Sequence, residues 1–159
     1  QDLSSIINEI KSQGKPPTGQ FSLAALLDIF LKVCDAVSFA HNRGIIHLDL
    51  KPANIRISNH GEVYVLDWGL AKISDFTIDD KKILLDNPAF LCADLEHCTI
   101  YGQVKGTPGY MSPEQAAGNK IHKDEKSDIY SLGAILYNIL HHIPPIESTS
   151  LEELITKTI

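Results

Sequence analysis

The chain has 159 residues, 43% hydrophobic and 21% charged, with a formal net charge of −6. That length suits one domain or part of one, able to bury roughly 70% of its unfolded surface. An acidic balance with no basic tract argues against nucleic-acid partners, and no apolar run approaches the ~18 residues of a membrane span.

In chain order, residues 3–12 carry apolar side chains at Leu3, Ile6, Ile7 and Ile10, the stripe of a short amphipathic helix. Gln13 to Gln20, rich in glycine and proline, breaks that helix into a loop. Ser22 is expected to cap a longer helix reaching about Asn42, with Leu26, Phe30, Val33, Val37 and Ala40 as its buried face. Gly44 suits the cap at its C-terminal end. Cys34 falls on the apolar side of this helix and reads as an inert core residue. No Cys-x-x-Cys pattern links it with Cys92 and Cys98, so neither a disulfide framework nor a zinc ribbon is indicated. A metal held by Cys92, His97 and Cys98 is the minor alternative, since no fourth ligand is evident. A reducing, cytoplasmic setting is expected, with any membrane anchor outside this chain.

The stretch from His47 to Gly69, HLDLKPANIRISNHGEVYVLDWG, concentrates the chemistry. Asp49, Lys51 and Asn54 share one short loop. The run Ile55-Arg56-Ile57 and the run Glu62-Val63-Tyr64-Val65-Leu66 flank Asn59-His60-Gly61, a hairpin signal. A hairpin folds the chain back, so Asp67 is expected to return beside Asn54. Two acids, an amide and an ammonium then share one small volume. Asp67 and the side-chain carbonyl of Asn54 are hard oxygen ligands suited to Mg2+, which is completed by substrate phosphates. Asp49 has the chemistry to take a proton from an attacking hydroxyl, and Lys51 to neutralise a transferring phosphoryl group. Each residue alone is more simply part of a polar hairpin with a satisfied salt bridge. Their combination at this spacing is what points to catalysis.

HLDLKPAN resembles the catalytic loop HRDxKxxN of the eukaryotic-type (Hanks-type) serine/threonine protein kinases, and DWG resembles their DFG motif. GTPGYMSPE, Gly106 to Glu114, is similar to the end of the kinase activation segment. SDIYSLGAILYNIL, Ser127 to Leu140, is similar to the start of the central helix of the large lobe. These motifs follow the family's order over about positions 20 to 145, in the style of its bacterial members. Lys51-Pro52 and Thr107 point to the serine/threonine branch.

The resemblance implies a mainly α fold with a small β-hairpin. Residues 1–159 would be part of the large (C-terminal) lobe, from its first helices to just after the central helix, with the small lobe absent from this chain. It implies Asp49, Lys51 and Thr107 as catalytic residues, Lys51, Asn54 and Asp67 as nucleotide-binding residues, and Asn54 and Asp67 as metal ligands. ATP and Mg2+ are the implied cofactors, and a protein is the implied substrate. Thr107 is implied to hydrogen-bond Asp49 and Lys51. Asp128 is implied to accept hydrogen bonds from the catalytic-loop backbone, as an organiser rather than a reagent.

Asp67 to Glu114 would be an activation segment longer than is usual, with an insertion at about 74–102. Its acids and the apolar stretch Ala89 to Ala93 read as a mobile surface insertion, or as a regulatory or docking element. Ser112-Pro113 reads as a helix N-cap followed by proline in the first turn. Asp128 is expected to open a helix that buries Ile129, Leu132, Ile135, Leu136 and Ile139 and ends at Pro144-Pro145. Ser150 with Glu153 reads as a capping box opening another helix.

Some positions depart from the family pattern. Leu48 replaces an arginine that pairs with a phosphorylated loop residue, so activation through that contact is not expected, while proton abstraction by Asp49 is unaffected. Trp68 replaces phenylalanine and can keep its packing role beside His47. Arg56 stands where an apolar side chain usually lies beneath adenine, and its planar guanidinium can stack on the base. Glu114 is expected to lack the late arginine that usually pairs with it. No glycine-rich loop, strand lysine or helix glutamate is matched, and the sole methionine is Met111, so the chain reads as a piece of a longer protein. Little activity is expected of the fragment alone, because phosphoryl transfer leans on positioning by the missing parts. The leading reading is phosphoryl transfer from ATP to Ser/Thr of proteins by the parent kinase. A pseudokinase-type scaffold and a small-molecule phosphotransferase are the alternatives.

Overall fold

The computed structural model describes residues 1–14, 19–73, 107–118, 123–148 and 150–159. The expected insertion at 74–102 and the Cys92, His97 and Cys98 group lie outside the described residues. The elements run α1 (Leu3–Gln13), α2 (Leu23–His41), β1 (Ile45–Ile46), β2 (Ile55–Ile57), β3 (Val63–Val65), β4 (Lys72–Ile73), α3 (Pro113–Ala116), α4 (Glu125–His141) and α5 (Leu151–Thr158). Single 3-10 turns at Gly19–Phe21 and Pro52–Asn54 link them.

Helix α1 starts where the Asp2 carboxylate accepts the Ser5 N–H at 2.8 Å, and stops at Gly14, whose φ of 60° suits glycine. Burial outweighs its local propensity. Eleven residues are marginal as an isolated helix, but Leu3, Ile6, Ile7 and Ile10 are all buried, at about 1.5–3 kcal/mol each. Helix α2 is capped by Ser22 as expected, its Oγ accepting the Ala25 N–H. Its buried stripe is Leu26, Ile29, Val33, Val37 and Ala40. Phe30, expected on that face, only packs at the core's edge, and Ile29 fills the place. Both residues lie within a step of three or four from Leu26 and Val33, so spacing alone does not separate them. Cys34 packs at the same edge, where burial pushes its thiol up from the usual value.

Two short antiparallel ladders follow. Strand β1 pairs with β4, Ile45 opposite Ile73. Strands β2 and β3 form the expected hairpin, Ile55 opposite Val65 and Ile57 opposite Val63. Its turn closes with Ser58 N–H to Glu62 O at 2.9 Å and passes through Gly61 at φ 80°, a left-handed conformation that glycine adopts without penalty. Ile55 of the hairpin joins α1, α2 and α4 in one core, with Leu26, Val33, Ile135 and Ile139 at its centre.

Helix α4 corrects one expected face. Ile129 is 58% exposed, whereas Asp128 is fully buried in line with Leu132, Ile135 and Ile139. A buried carboxylate is costly unless satisfied, and its partners, described below, satisfy it. The helix ends one turn before the prolines, with His142 left-handed at φ 59° and its N–H on Asn138 O. Helix α5 begins after Ser150 without the expected capping box. Glu153 instead accepts from the Ser148 hydroxyl and pairs with Lys157 at 2.7 Å. Among the described residues no helix is long and apolar enough to cross a membrane.

Candidate active site

The loop from His47 to Asn54 connects β1 to β2 and is held from beneath by α4. Asp128 Oδ2 accepts the His47 N–H and Oδ1 accepts the Leu48 N–H, both at 2.8 Å. The same Oδ2 lies 2.8 Å from His41 Nε2, at the end of α2. Three donors from two elements offset the desolvation of this carboxylate. Leu48 has φ 64°, a conformation costing a bulky residue roughly 1–2 kcal/mol. Its two backbone polar groups are both secured, the N–H by Asp128 and the carbonyl by Gln115 Nε2 at 2.7 Å.

Beyond that left-handed residue the polar side chains converge. Lys51 Nζ donates to Asp49 Oδ2 at 2.7 Å and to Thr107 Oγ1 at 2.6 Å, while the Thr107 hydroxyl donates to Asp49 Oδ1 at 2.9 Å. Asn54 Nδ2 donates to the Asp49 carbonyl at 2.9 Å and, more weakly, to Asp49 Oδ2 at 3.3 Å. Three side chains thus orient one carboxylate. With about four lone-pair sites, a carboxylate so held retains acceptor capacity for an incoming hydroxyl. The Lys51 and Asp49 side chains are only 22% and 10% exposed, so water screens their attraction weakly.

The hairpin returns the chain as its turn signal requires. Leu66 N–H donates to the Asn54 carbonyl at 2.8 Å, one residue before Asp67. Asp67 itself is left-handed at φ 62° and exposed. A Cβ on Gly69 would stand 3.3 Å from Asp67 Oδ1, so glycine there keeps that oxygen uncrowded. Asp67 is not drawn into the hydrogen bonds joining Asp49, Lys51 and Thr107. With the Asn54 amide nitrogen turned to Asp49, its oxygen is the remaining donor atom for a cation. An amide oxygen and one exposed carboxylate fit a magnesium ion completed by phosphates and water.

His47 ties the loop to the end of the hairpin. Its Nδ1 accepts the Asp49 N–H at 3.2 Å, which leaves Nε2 as the protonated nitrogen donating to Leu66 O at 3.0 Å. Burial lowers its pKa below the usual 6.5, against the opposing pull of the Leu66 carbonyl and of Asp128, Asp49 and Asp67. With Nδ1 accepting and Nε2 donating, the ring carries one proton and is neutral. Trp68 packs on it with centroids 4.5 Å apart, the contact expected of the aromatic in DWG.

The stretch after Thr107 is anchored to α4. Ser131 Oγ donates to Tyr110 O at 2.8 Å, and Tyr110 OH donates to Asn138 Oδ1 at 2.9 Å. Burial, with the Glu147 charge adding, pushes the Tyr110 phenol up to about 12. Glu114, expected to lack its partner, accepts the Ser127 hydroxyl at 2.6 Å. Burial alone would raise its pKa, but the Ser127 and Ser112 hydroxyls and its own N–H outweigh that and hold it low. Arg56 is exposed on β2 opposite Tyr64, and its charge adds to the Ser5 hydrogen bonds that hold the Asp2 carboxyl low against burial.

Comparison with known proteins places the chain in a family. Residues 3–159 match the model of the protein kinase domain. The chain belongs to the protein kinase family. Within it the relatives are bacterial serine/threonine kinases. The chain is 42% identical over 132 residues to the serine/threonine-protein kinase PknD of Protochlamydia amoebophila, covering 83% of this chain and 13% of that protein. It is 41% identical over 122 residues to PknD of Chlamydia felis, covering 76% of this chain and 12% of that protein. PknD of Chlamydia trachomatis serovar D is 40% identical over 124 residues, covering 75% and 13%. The chain thus spans about an eighth of the length of these curated relatives.

In this kinase chain, reading the sequence missed His41 as a partner of Asp128, Ser127 as a partner of Glu114, and Gln115 as a partner of Leu48. The pattern Ser112-x-x-Gln115 is itself a capping-box signal. It marks Gln115 as a cap residue but carries no sign of the carbonyl it reaches 67 positions upstream.

Proposed function

We propose that the protein carrying this chain transfers the γ-phosphoryl group of ATP to serine or threonine hydroxyls of protein substrates. The observation that carries this reading is the closed set of hydrogen bonds among Asp49, Lys51 and Thr107, with Asn54 bracing Asp49. Asp49 accepts the proton of the attacking hydroxyl as its oxygen bonds to the γ-phosphorus and the bridging oxygen to the β-phosphate departs. Lys51 holds Asp49 in place and offers positive charge to the transferring group, and Thr107 fixes the spacing between them. Asn54 and Asp67 would hold Mg2+, which when bound neutralises charge on the phosphate oxygens.

We read residues 1–159 as part of the large lobe and 74–102 as an insertion in the activation segment. ATP supply and the free thiol of Cys34 suit a cytoplasmic setting. The isolated chain is expected to be slow, because transfer depends on groups that cover and orient the nucleotide, and no glycine-rich loop for that purpose stands among these residues. Leu48 in place of arginine favours a second reading, a pseudokinase-type scaffold.

The test uses the whole protein. Calorimetric titration with Mg-ATP should show binding that Asp67→Ala weakens strongly. Phosphate transfer to a protein substrate should fall roughly 10²–10⁴-fold in Asp49→Asn, the usual worth of a positioned base. Nucleotide binding without any transfer, equal in wild type and Asp49→Asn, would favour the scaffold.

A further inference from the structure

We infer that Gln115 is a positioning residue, whose side-chain amide fixes the Leu48–Asp49 peptide and so aims the Asp49 carboxylate. The inference rests on the reading of Asp49 as the base. Gln115 is 1% exposed, on the four-residue helix α3, and spends both ends of its side chain on named partners. Nε2 donates to the Leu48 carbonyl at 2.7 Å, and Oε1 accepts the Ser112 N–H at 3.1 Å and its hydroxyl at 3.2 Å. The other end of the Leu48–Asp49 peptide, the Asp49 N–H, donates to His47 Nδ1. Both ends of the peptide that precedes the base are therefore held by side chains.

That restraint has a conformation to enforce. Leu48 is left-handed, which leucine on its own disfavours, so the direction in which Asp49 leaves the peptide is imposed by its surroundings. Asp128 secures the Leu48 N–H but leaves the carbonyl to Gln115. The segment from Thr107 to Gln115 consequently grips Asp49 twice. Thr107 holds its carboxylate, and Gln115 holds the Leu48 carbonyl of the peptide that precedes it. The side chain of Leu48 carries no charge for such a link, and its backbone carbonyl serves as the handle. Orientation of the base thereby depends on docking of α3, through an uncharged contact.

The experiment compares Gln115→Met and Gln115→Glu with wild type in the whole protein. Gln115→Met keeps the volume and loses the amide. Gln115→Glu keeps an acceptor for Ser112 but turns a second oxygen toward the Leu48 carbonyl. Both should lower kcat by roughly 10–10²-fold, the scale of an ångström-level misplacement, with KM for ATP nearly unchanged. Amide hydrogen exchange, read on the same proteins, does not depend on activity. Exchange in the peptide spanning Leu48 and Asp49 should quicken in both variants while α2 and α4 keep wild-type protection. Unchanged exchange there overturns the inference, as does an equal rise throughout α2 and α4, which marks a merely structural residue. In an active wild type, unchanged kcat also overturns it. A wild type that transfers no phosphate fails the functional reading instead, and the exchange result then decides the Gln115 contact by itself.

Discussion

The amide of Leu48 and the carboxylate of Asp128 meet at 2.8 Å across 80 positions of sequence. One buried acid on a core helix thereby sets the backbone of the loop that carries Asp49. The consequence is that core packing and site geometry share a residue, and perturbing it should be felt in both.

Asp128→Asn tests that coupling. Whichever way the amide turns, its NH2 group faces either the His47 or the Leu48 N–H, so one buried donor loses its acceptor. Hydrogen bonds to a charged group contribute about 1.5–3 kcal/mol, so stability should fall by about 3 kcal/mol. The urea midpoint should drop at constant m-value. A midpoint within error of wild type would show that Asp128 does not secure the loop.

Thr107→Val keeps the shape and removes the hydroxyl between Lys51 and Asp49. Lys51 still reaches Asp49 directly, so the pair survives with one restraint fewer. The rate of phosphate transfer should fall about tenfold, the worth of roughly one hydrogen bond in the transition state. Steady-state kinetics with the whole protein reads this as a lower kcat at similar KM for ATP.

The neutral His47 predicts a pH dependence of stability. Its folded pKa lies below 6.5, so between the two values the unfolded chain binds a proton that the folded chain does not. Stability from this residue is intact above about 6.5 and declines as pH falls below it. Replacing it by His47→Gln, which does not titrate, should lower stability at neutral pH and flatten the fall in melting temperature between about pH 7 and pH 5. An unchanged slope would mean that His47 is not the neutral donor to Leu66.

Much of the site was legible because its parts are local in sequence. Asp49, Lys51 and Asn54 share one loop, and the Asn59-His60-Gly61 turn forces the return that brings Asp67 near Asn54. The apolar stripe of α1 was equally plain, with four buried residues at helical spacing. Helix faces were less so. Periodicity placed Ile129 inside and passed over Ile29, since neighbouring apolar residues fit a three-four pattern almost equally well.

The sequence by itself determined which chemical groups the loop and hairpin could assemble, because turn residues and short spacings act on neighbours. Only the tertiary structure decided which distant groups complete them: Asp128 under His47 and Leu48, Gln115 on the Leu48 carbonyl, and Ser127 on Glu114. Those contacts arise where α3 and α4 pack against the loop, and a hydrogen bond between residues far apart in the chain leaves no periodic trace in either segment. Burial is what selected them, since polar groups removed from water must find partners wherever the packing brings them.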